Sequence, residues 1–322
     1  MDILMFGSGM RTYRDLENIK IVRPVVTVGI FDGVHTGHDT ILERIKIIAG
    51  AIKGESTVVT FWPHPRIFLT PEGVGLKFLS TIREKRELLE NKEIDNLVII
   101  PFTREFSNLS AGEFITKILF EKIRASHLVV GYNHHFGKDR EGNFEILEEI
   151  ATGKNIKTEQ VGAKILNNRE VSSTLIRDAL YSGDLNLANQ MLGYTYFFNG
   201  KIIGGKKIGR SIGFPTANIM PLERYKLLPR DGVYAVKIEL GSRKFEGMLN
   251  IGLRPTMNDV ENGKTIEVHI FDFNQQIYGQ EVKIFFIDRI RDEKKFSDVS
   301  LLAEQLKKDR ERIREILSSN RE

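Results

Sequence analysis

The chain of 322 residues contains no cysteine. Disulfides and thiolate metal centres are therefore excluded, and a reducing compartment suits it. No apolar run approaches the ~18 residues that a membrane helix needs. The opening stretch MDILMFGSGMRTYRD turns polar too soon for a secretory hydrophobic segment, so a cytoplasmic location without membrane contact is expected. Charge of one sign is also lacking. Lys and Arg number 47 against 43 Asp and Glu, a net charge of +4. So mild an excess tolerates a polyanionic small molecule but does not mark a nucleic-acid surface. Nor does a basic run interleave with aromatics, as a stacking platform for single strands requires. No internal repeat or low-complexity segment is present, and Trp62 is the only tryptophan.

What is there falls into two halves of different rhythm. The first alternates short Val- and Ile-rich runs, VVTVGIF (25–31), STVVTFW (56–62), NLVIIPF (96–102) and HLVVGY (127–132), with amphipathic stretches such as 39–52 and 81–92. Continuously apolar runs read as parallel strands buried on both faces, and the alternation reads as βαβ units. A weaker fifth strand is IKTEQV (156–161). From about residue 194 come YFFNGKIIGG, GVYAVKIEL, RKFEGMLNIG, KTIEVHIFDF and QEVKIFFID, strand-like and without intervening helices, then a helical pattern from about residue 298. The expected architecture is an α/β doubly wound parallel sheet, residues 1–185, followed by a small antiparallel β-barrel with a C-terminal helix, residues 186–322.

Polar clusters follow each strand of the first half: DGVHTGH, PHP, TREF and NHHFG. In an open α/β sheet, ligands sit beyond the carboxyl ends of the strands. His35 and His38 lie where a strand turns into a helix, three residues apart and so on one helix face. Thr36 or Asp39 can cap that helix. Its free amides attract an anion, and Gly33 and Gly37 let the backbone come close. Two imidazoles there suit phosphate transfer, which needs positioning and charge stabilisation more than covalent help. By spacing alone, a solvated helix start is the more ordinary reading.

The run VGIFDGVHTGH, together with TFWPHPR, VGYNHHFGKDREGN and VSSTLIRDALYSGDL, resembles the FMN adenylyltransferase module of prokaryotic bifunctional FAD synthetases. That module belongs to the nucleotidyltransferase superfamily. The resemblance implies ATP held by Phe31, Asp32, Gly33, His35, His38 and Asn133, with Ser172, Ser173, Thr174 and Arg177 as a second phosphate grip. It implies flavin contacts at Phe61, Trp62 and Phe106, and His35 and His38 in catalysis. The chain departs from the family at Ile30, where many members have Asn, and at Trp62, where Glu is common. His134 and His135 depart too, and all bear on the flavin pocket. Trp62 can stack on a ring or serve as a rim residue.

A second dense segment, GKIIGGKKIGRSIGFPTANI (200–219), is rich in Gly and cations and lacks the P-loop order. In an extended segment Thr216 and Asn218 point the same way, and their oxygens suit a hard cation. This run, with GMLNIGLRPTM, TIEVHIFDF and the C-terminal stretch 285–309, is similar to the riboflavin kinases. The resemblance implies ATP contacts at Gly209, Arg210, Gly213, Pro215, Thr216 and Asn218. It also implies Mg²⁺ at Thr216 and Asn218, Glu267 as general base with His269 orienting it, and Arg291 on the flavin. The expected function is phosphorylation of riboflavin to FMN and adenylylation of FMN to FAD, with ATP, riboflavin and FMN as partners of a monomer or weak oligomer. Two alternatives stay open: a different acceptor for the first domain, and an RNA-binding protein built on a synthetase-like domain.

Overall fold

The computed structural model describes residues 9–69, 76–166, 168–204, 213–253 and 264–319. The chain divides into two compact units, Met1–Ser173 and Thr174–Glu322.

The first unit is built on six parallel strands: β1 (Arg11–Tyr13), β2 (Pro24–Val28), β3 (Glu55–Trp62), β4 (Asn96–Pro101), β5 (His127–Gly131) and β6 (Lys157–Val161), in spatial order β1-β4-β3-β2-β5-β6. The Val- and Ile-rich runs form the centre, where Val25, Val26, Val58, Val59, Leu97, Val98, Leu128 and Val129 are wholly buried. Each such side chain contributes roughly 1.5–3 kcal/mol on leaving water. Helices α1 (Thr36–Ile52), α2 (Pro65–Leu69), α3 (Ile82–Asn91), α4 (Arg104–Ser107), α5 (Ala111–Glu113) and α6 (Phe144–Thr152) connect the strands, with a π-helical stretch over Phe114–Lys122. Phe114, Ile115, Leu119 and Leu147 pack onto Val26, Val28, Val98 and Val130 of the sheet. A short hairpin, β7 (Ile165–Leu166) and β8 (Arg169–Glu170), completes the unit. The strand order reverses between β2 and β5, so their carboxyl ends open a crevice for a ligand.

Helix α1 starts earlier than its apolar pattern. Its N-cap is His35, not Thr36 or Asp39, because His38 supplies the reciprocal cap from the first turn. Strand β1 was not among the expected strands. Three residues, RTY, carry no periodicity, and pairing with β4 alone defines them.

The second unit begins on α7 (Ser173–Ser182) and α8 (Leu185–Leu192). Asp184 caps α8 by accepting from the Leu187 amide at 3.0 Å. Six antiparallel strands then close a barrel: β9 (Phe197–Ile203), β10 (Ala217–Pro221), β11 (Gly232–Leu240), β12 (Arg243–Leu253), β13 (Lys264–Ile270) and β14 (Glu281–Arg291), in order β10-β13-β12-β11-β14-β9. Five match the expected strands, and the sixth, β10, comes from the segment read as an anion-binding loop. The Phe286 ring meets those of Tyr234, Phe198 and Tyr196 at centroid distances of 5.1, 5.8 and 6.2 Å, all buried.

Helix α9 (Val299–Ser319) lies on the barrel through Ile313 and Leu317, which pack with Phe214, Val233, Ala235, Met248 and Ile290. Asp298 caps it, accepting from the Ser300 amide at 2.6 Å. One ion pair fixes it. Arg291 of β14 donates through Nε and Nη2 to Asp309 at 2.9 and 2.7 Å, and Gln305 donates to the same carboxylate at 2.8 Å. Asp309 is only 3% exposed. Removing one member of a buried pair strands the other charge. Arg291→Ala is therefore expected to destabilise the protein by roughly 3 kcal/mol, read as a lowered thermal midpoint. A midpoint unchanged from wild type would contradict this role.

Candidate active sites

The first candidate site grows from the turn after β2. Phe31, Gly33 and Val34 all take positive φ, +49°, +83° and +40°. For Phe and the β-branched Val this costs about 1–3 kcal/mol each and persists only where surroundings impose it. Four hydrogen bonds do so. Ser80 N–H donates to Asp32 Oδ1 at 3.1 Å, and Gly33 N–H to Ser80 Oγ at 2.9 Å. Ser173 Oγ donates to the Asp32 carbonyl at 3.0 Å, and Thr60 Oγ1 to the Ile30 carbonyl at 3.2 Å. One of the four bonds is thus to the carbonyl of Ile30, the residue at odds with the resemblance.

The turn delivers His35 and His38 to the start of α1 with their rings stacked, centroids 3.7 Å apart and planes at 20°. Phe31 leans on His38 at 4.9 Å. A Cβ at Gly37 would stand 2.9 Å from the His35 ring and 2.9 Å from the Val171 carbonyl, so only glycine fits between them. The His35 amide donates to His38 Nδ1 at 3.2 Å. Nδ1 is therefore an acceptor, and the neutral ring carries its proton on Nε2. Desolvation holds His38 well below the ordinary histidine value, and the neighbouring charges of His35 and Lys85 press the same way. His38 is thus a neutral hydrogen-bonding group at the amide-rich end of a long helix.

Asn133 follows β5, on the other side of the strand-order reversal, and is exposed. Ser172 and Ser173 close the first unit; Thr174 and Arg177 lie further along α7, in the second. Phe61 and Phe106 meet at 5.5 Å within an aromatic cluster that includes Phe102, Phe114 and Phe136. His134 stacks on Phe136 at 5.5 Å, and burial lowers its pKa to about 4. Trp62 is half-buried at the end of β3.

The second candidate site lies on the barrel. Thr216 Oγ1 donates to Glu267 Oε2 at 3.2 Å, and Asn218 of β10 pairs in register with Glu267 of β13. Thr216, Asn218 and Glu267 thus converge from two strands. Glu267 and His269 alternate onto one face of β13. His269 also bonds the backbone just before Thr216. Its Nδ1 lies 2.8 Å from the Pro215 carbonyl. A carbonyl only accepts, so Nδ1 carries the proton. Desolvation lowers the pKa of this ring, which stacks edge-on against Phe214 at 5.2 Å. The histidine secures the Phe214–Thr216 backbone through this bond. Pro215 and Gly213 are exposed, and Gly209 and Arg210 lie outside the described residues. Arg291 is engaged by Asp309 and by the Asp292 carbonyl at 3.0 Å. The described residues hold no group of three or more His, Cys, Asp or Glu able to bind a metal.

Sequence reading missed Ser80, Thr60 and Lys85. Lys85 of α3 is 5% exposed, its Nζ 3.4 Å from Thr60 Oγ1. A Ser-Thr pair before an amphipathic helix signals only a cap, and a lysine in a charge-rich helix reads as solvated.

Ring nitrogen NMR measures the His38 assignment directly. Nδ1 is expected to remain an unprotonated acceptor as pH falls through the ordinary histidine range near 6.5. A His38 titration at that value would contradict it.

Two family models match, FAD synthetase over residues 20–175 and riboflavin kinase over residues 192–317. The bifunctional riboflavin kinase/FMN adenylyltransferase of Listeria monocytogenes is 38% identical, covering 91% of this chain and 92% of its own. That of Haemophilus influenzae is 37% identical, covering 96% and 100%. The crystal structure of a protein described as a macrolide-efflux protein from Streptococcus pneumoniae matches with a TM-score of 0.83 and 31% identity, over 94% of this chain and 98% of that one. No described helix of the present chain is long and apolar enough to cross a membrane. With both family models matched and relatives of 37–38% identity spanning more than nine-tenths of its length, the chain belongs to the bifunctional riboflavin kinase/FMN adenylyltransferase family.

Proposed function

We propose that the two halves of this activity divide between the two sites described. The barrel transfers the γ-phosphate of ATP to riboflavin, and the α/β unit transfers the adenylyl group of a second ATP to the resulting FMN. The observation that carries the assignment is the pairing of two differently built sites in one chain. A stacked histidine pair at a helix start is made to bind phosphate oxygens. A carboxylate beside a hydroxyl and an amide is made to take a proton.

In the kinase, Glu267 accepts the proton of the riboflavin 5′-hydroxyl as its oxygen attacks the γ-phosphorus. The bond to the β,γ-bridging oxygen breaks, and ADP leaves. Thr216, Asn218 and Glu267 form an all-oxygen set, which fits a hard cation; Mg²⁺ held at Thr216 and Asn218 would neutralise charge on the ATP phosphates. Gly209, Arg210, Gly213 and Pro215 line the nucleotide in this reading. His269 keeps the Pro215 carbonyl in place and so fixes where Thr216 stands.

In the adenylyltransferase, a phosphate oxygen of FMN attacks the α-phosphorus of ATP, and pyrophosphate leaves. His38 donates from Nε2 to phosphate oxygen, with His35 stacked upon it and the first amides of α1 adding to the grip. Asp32 shapes the turn together with Phe31 and Gly33. Asn133, Ser172, Ser173, Thr174 and Arg177 complete the ATP contacts, Arg177 with a fork matched to phosphate. Phe61, Phe106 and Trp62 offer aromatic faces to the isoalloxazine ring. In the kinase, Arg291 keeps two N–H groups beyond those bonded to Asp309 and the Asp292 carbonyl, and these would face riboflavin. The reading requires small-molecule partners alone. A cytoplasmic monomer or weak oligomer suffices, with no call on nucleic acid.

Two substitutions separate the activities. His38→Ala is expected to reduce FAD formation from FMN on the order of a hundredfold or more, leaving FMN formation from riboflavin at its wild-type rate. Glu267→Gln should do the reverse, by on the order of a hundredfold or more. Chromatography of riboflavin, FMN and FAD reads both. Folded variants that lose both activities together would remove the assignment.

A further inference from the structure

Lys85 is a lysine buried where a surface one is expected. It sits in the first turns of α3, four residues after the cap Thr81. The cap closes reciprocally: Thr81 N–H donates to Glu84 at 2.9 Å, and Glu84 N–H to Thr81 Oγ1 at 3.2 Å. The adjacent bonds among Asp32, Gly33 and Ser80 tie the strained turn to the start of this helix. Lys85 thus reaches beneath the turn, against Thr60 of β3.

An ammonium has three donors. Lys85 makes one long hydrogen bond, 3.4 Å to Thr60 Oγ1, and that hydroxyl gives its own proton to the Ile30 carbonyl. Among the described residues it forms no ion pair. The charged and titratable groups facing it are Asp32 from the turn, which attracts it, and His38 from α1, which feels its charge. Its β3 neighbour, Thr60, is neutral. Burial outweighs the pull of Asp32 and brings the ammonium down to about 8. Interiors avoid such an arrangement, since an apolar side chain of similar volume fills the space without desolvating a charge. The missing element is a negative charge at contact distance, which a triphosphate at the start of α1 brings.

We propose that Lys85 is a positioning residue of the adenylylation site: its buried ammonium, matched by no carboxylate at contact distance among the described residues, is a fixed positive charge near His38 that draws the ATP phosphates onto the His35–His38 pair. This rests on the reading of the first unit as the adenylyltransferase. In a low-dielectric interior the field of one cation reaches further than in water. The same charge disfavours an imidazolium at His38, so Nδ1 stays free to accept the His35 amide. Bound phosphate in turn stabilises the ammonium. Below pH about 8 the free enzyme carries the charge; as pH rises through that value the charge is lost. Because kcat/KM reports free-enzyme groups, kcat/KM for ATP should fall above that pH, while kcat, governed by the ATP complex, falls less.

The test compares wild type, Lys85→Met and Lys85→Arg in adenylylation of FMN by Mg-ATP, from below neutrality to about pH 9.5. Thermal melting and riboflavin phosphorylation run alongside. Lys85→Met is expected to melt no lower than wild type and to phosphorylate riboflavin normally. Its KM for ATP should rise on the order of tenfold, with no alkaline fall in kcat/KM near pH 8. Lys85→Arg should recover most of the affinity and also lack the alkaline fall, because guanidinium does not titrate in this range. A Lys85→Met enzyme with wild-type KM and an unchanged pH profile would overturn the inference alone. So would one that fails to fold or melts markedly lower, since the charge would then be structural. A wild type that makes no FAD from FMN and ATP would overturn the reading of the unit, and this inference with it.

Discussion

Two imidazole rings stacked 3.7 Å apart cannot both be charged. Much of the first site follows from that constraint. His38 is neutral, its Nδ1 is committed to the His35 amide, and its Nε2 is left as the donor. The stack needs the two rings at the start of a helix, which requires a turn through positive φ at Phe31 and Val34. That strain is held by side chains brought from β3, from the start of α3 and from the residue that opens α7. The sheet supplies the rigid edge, and its order reversal places the turn beside the loop after β5. The charge of the buried Lys85 reinforces the neutrality of His38.

The barrel solves a different problem by a related device. A general base needs its carboxylate aimed, and Thr216 holds Glu267 by one hydrogen bond across two paired strands. The segment bearing Thr216 is held in turn by His269, whose tautomer the Pro215 carbonyl fixes. In each unit a neutral histidine orders the backbone of the site: His38 through an amide, His269 through a carbonyl. Helix α9 is joined to this barrel by Arg291 and Asp309, so the far end of the chain is fixed to β14.

The parts legible in the sequence are those governed by local pattern. Buried parallel strands announce themselves as Val and Ile runs, and the barrel strands as apolar runs between turns. Strand β1 escaped because RTY has no pattern of its own; only its pairing with β4 makes it a strand. Strand β10 escaped because its residues, ANIMP, follow a Gly- and Lys-rich run that reads as a loop. The histidine spacing pointed to an anion site, but the ring stack and the His35 cap depend on backbone angles that spacing does not encode. Lys85 was hidden for the opposite reason: IREKRELLEN is so charged that burial of its one lysine depends wholly on the turn packed over it. Arg291 was placed on the flavin by resemblance, and its partner Asp309 lies 18 residues away, beyond any local signal.

The central claim is that one chain carries riboflavin to FAD through two separate sites. It is tested most directly by incubating the protein with riboflavin and Mg-ATP and following the flavins by chromatography over time. FMN is expected first and FAD after a lag, and with labelled riboflavin a chase of unlabelled FMN should dilute the label that reaches FAD. FAD formed without FMN as an intermediate, or accumulation of FMN with no FAD from supplied FMN and ATP, would contradict it.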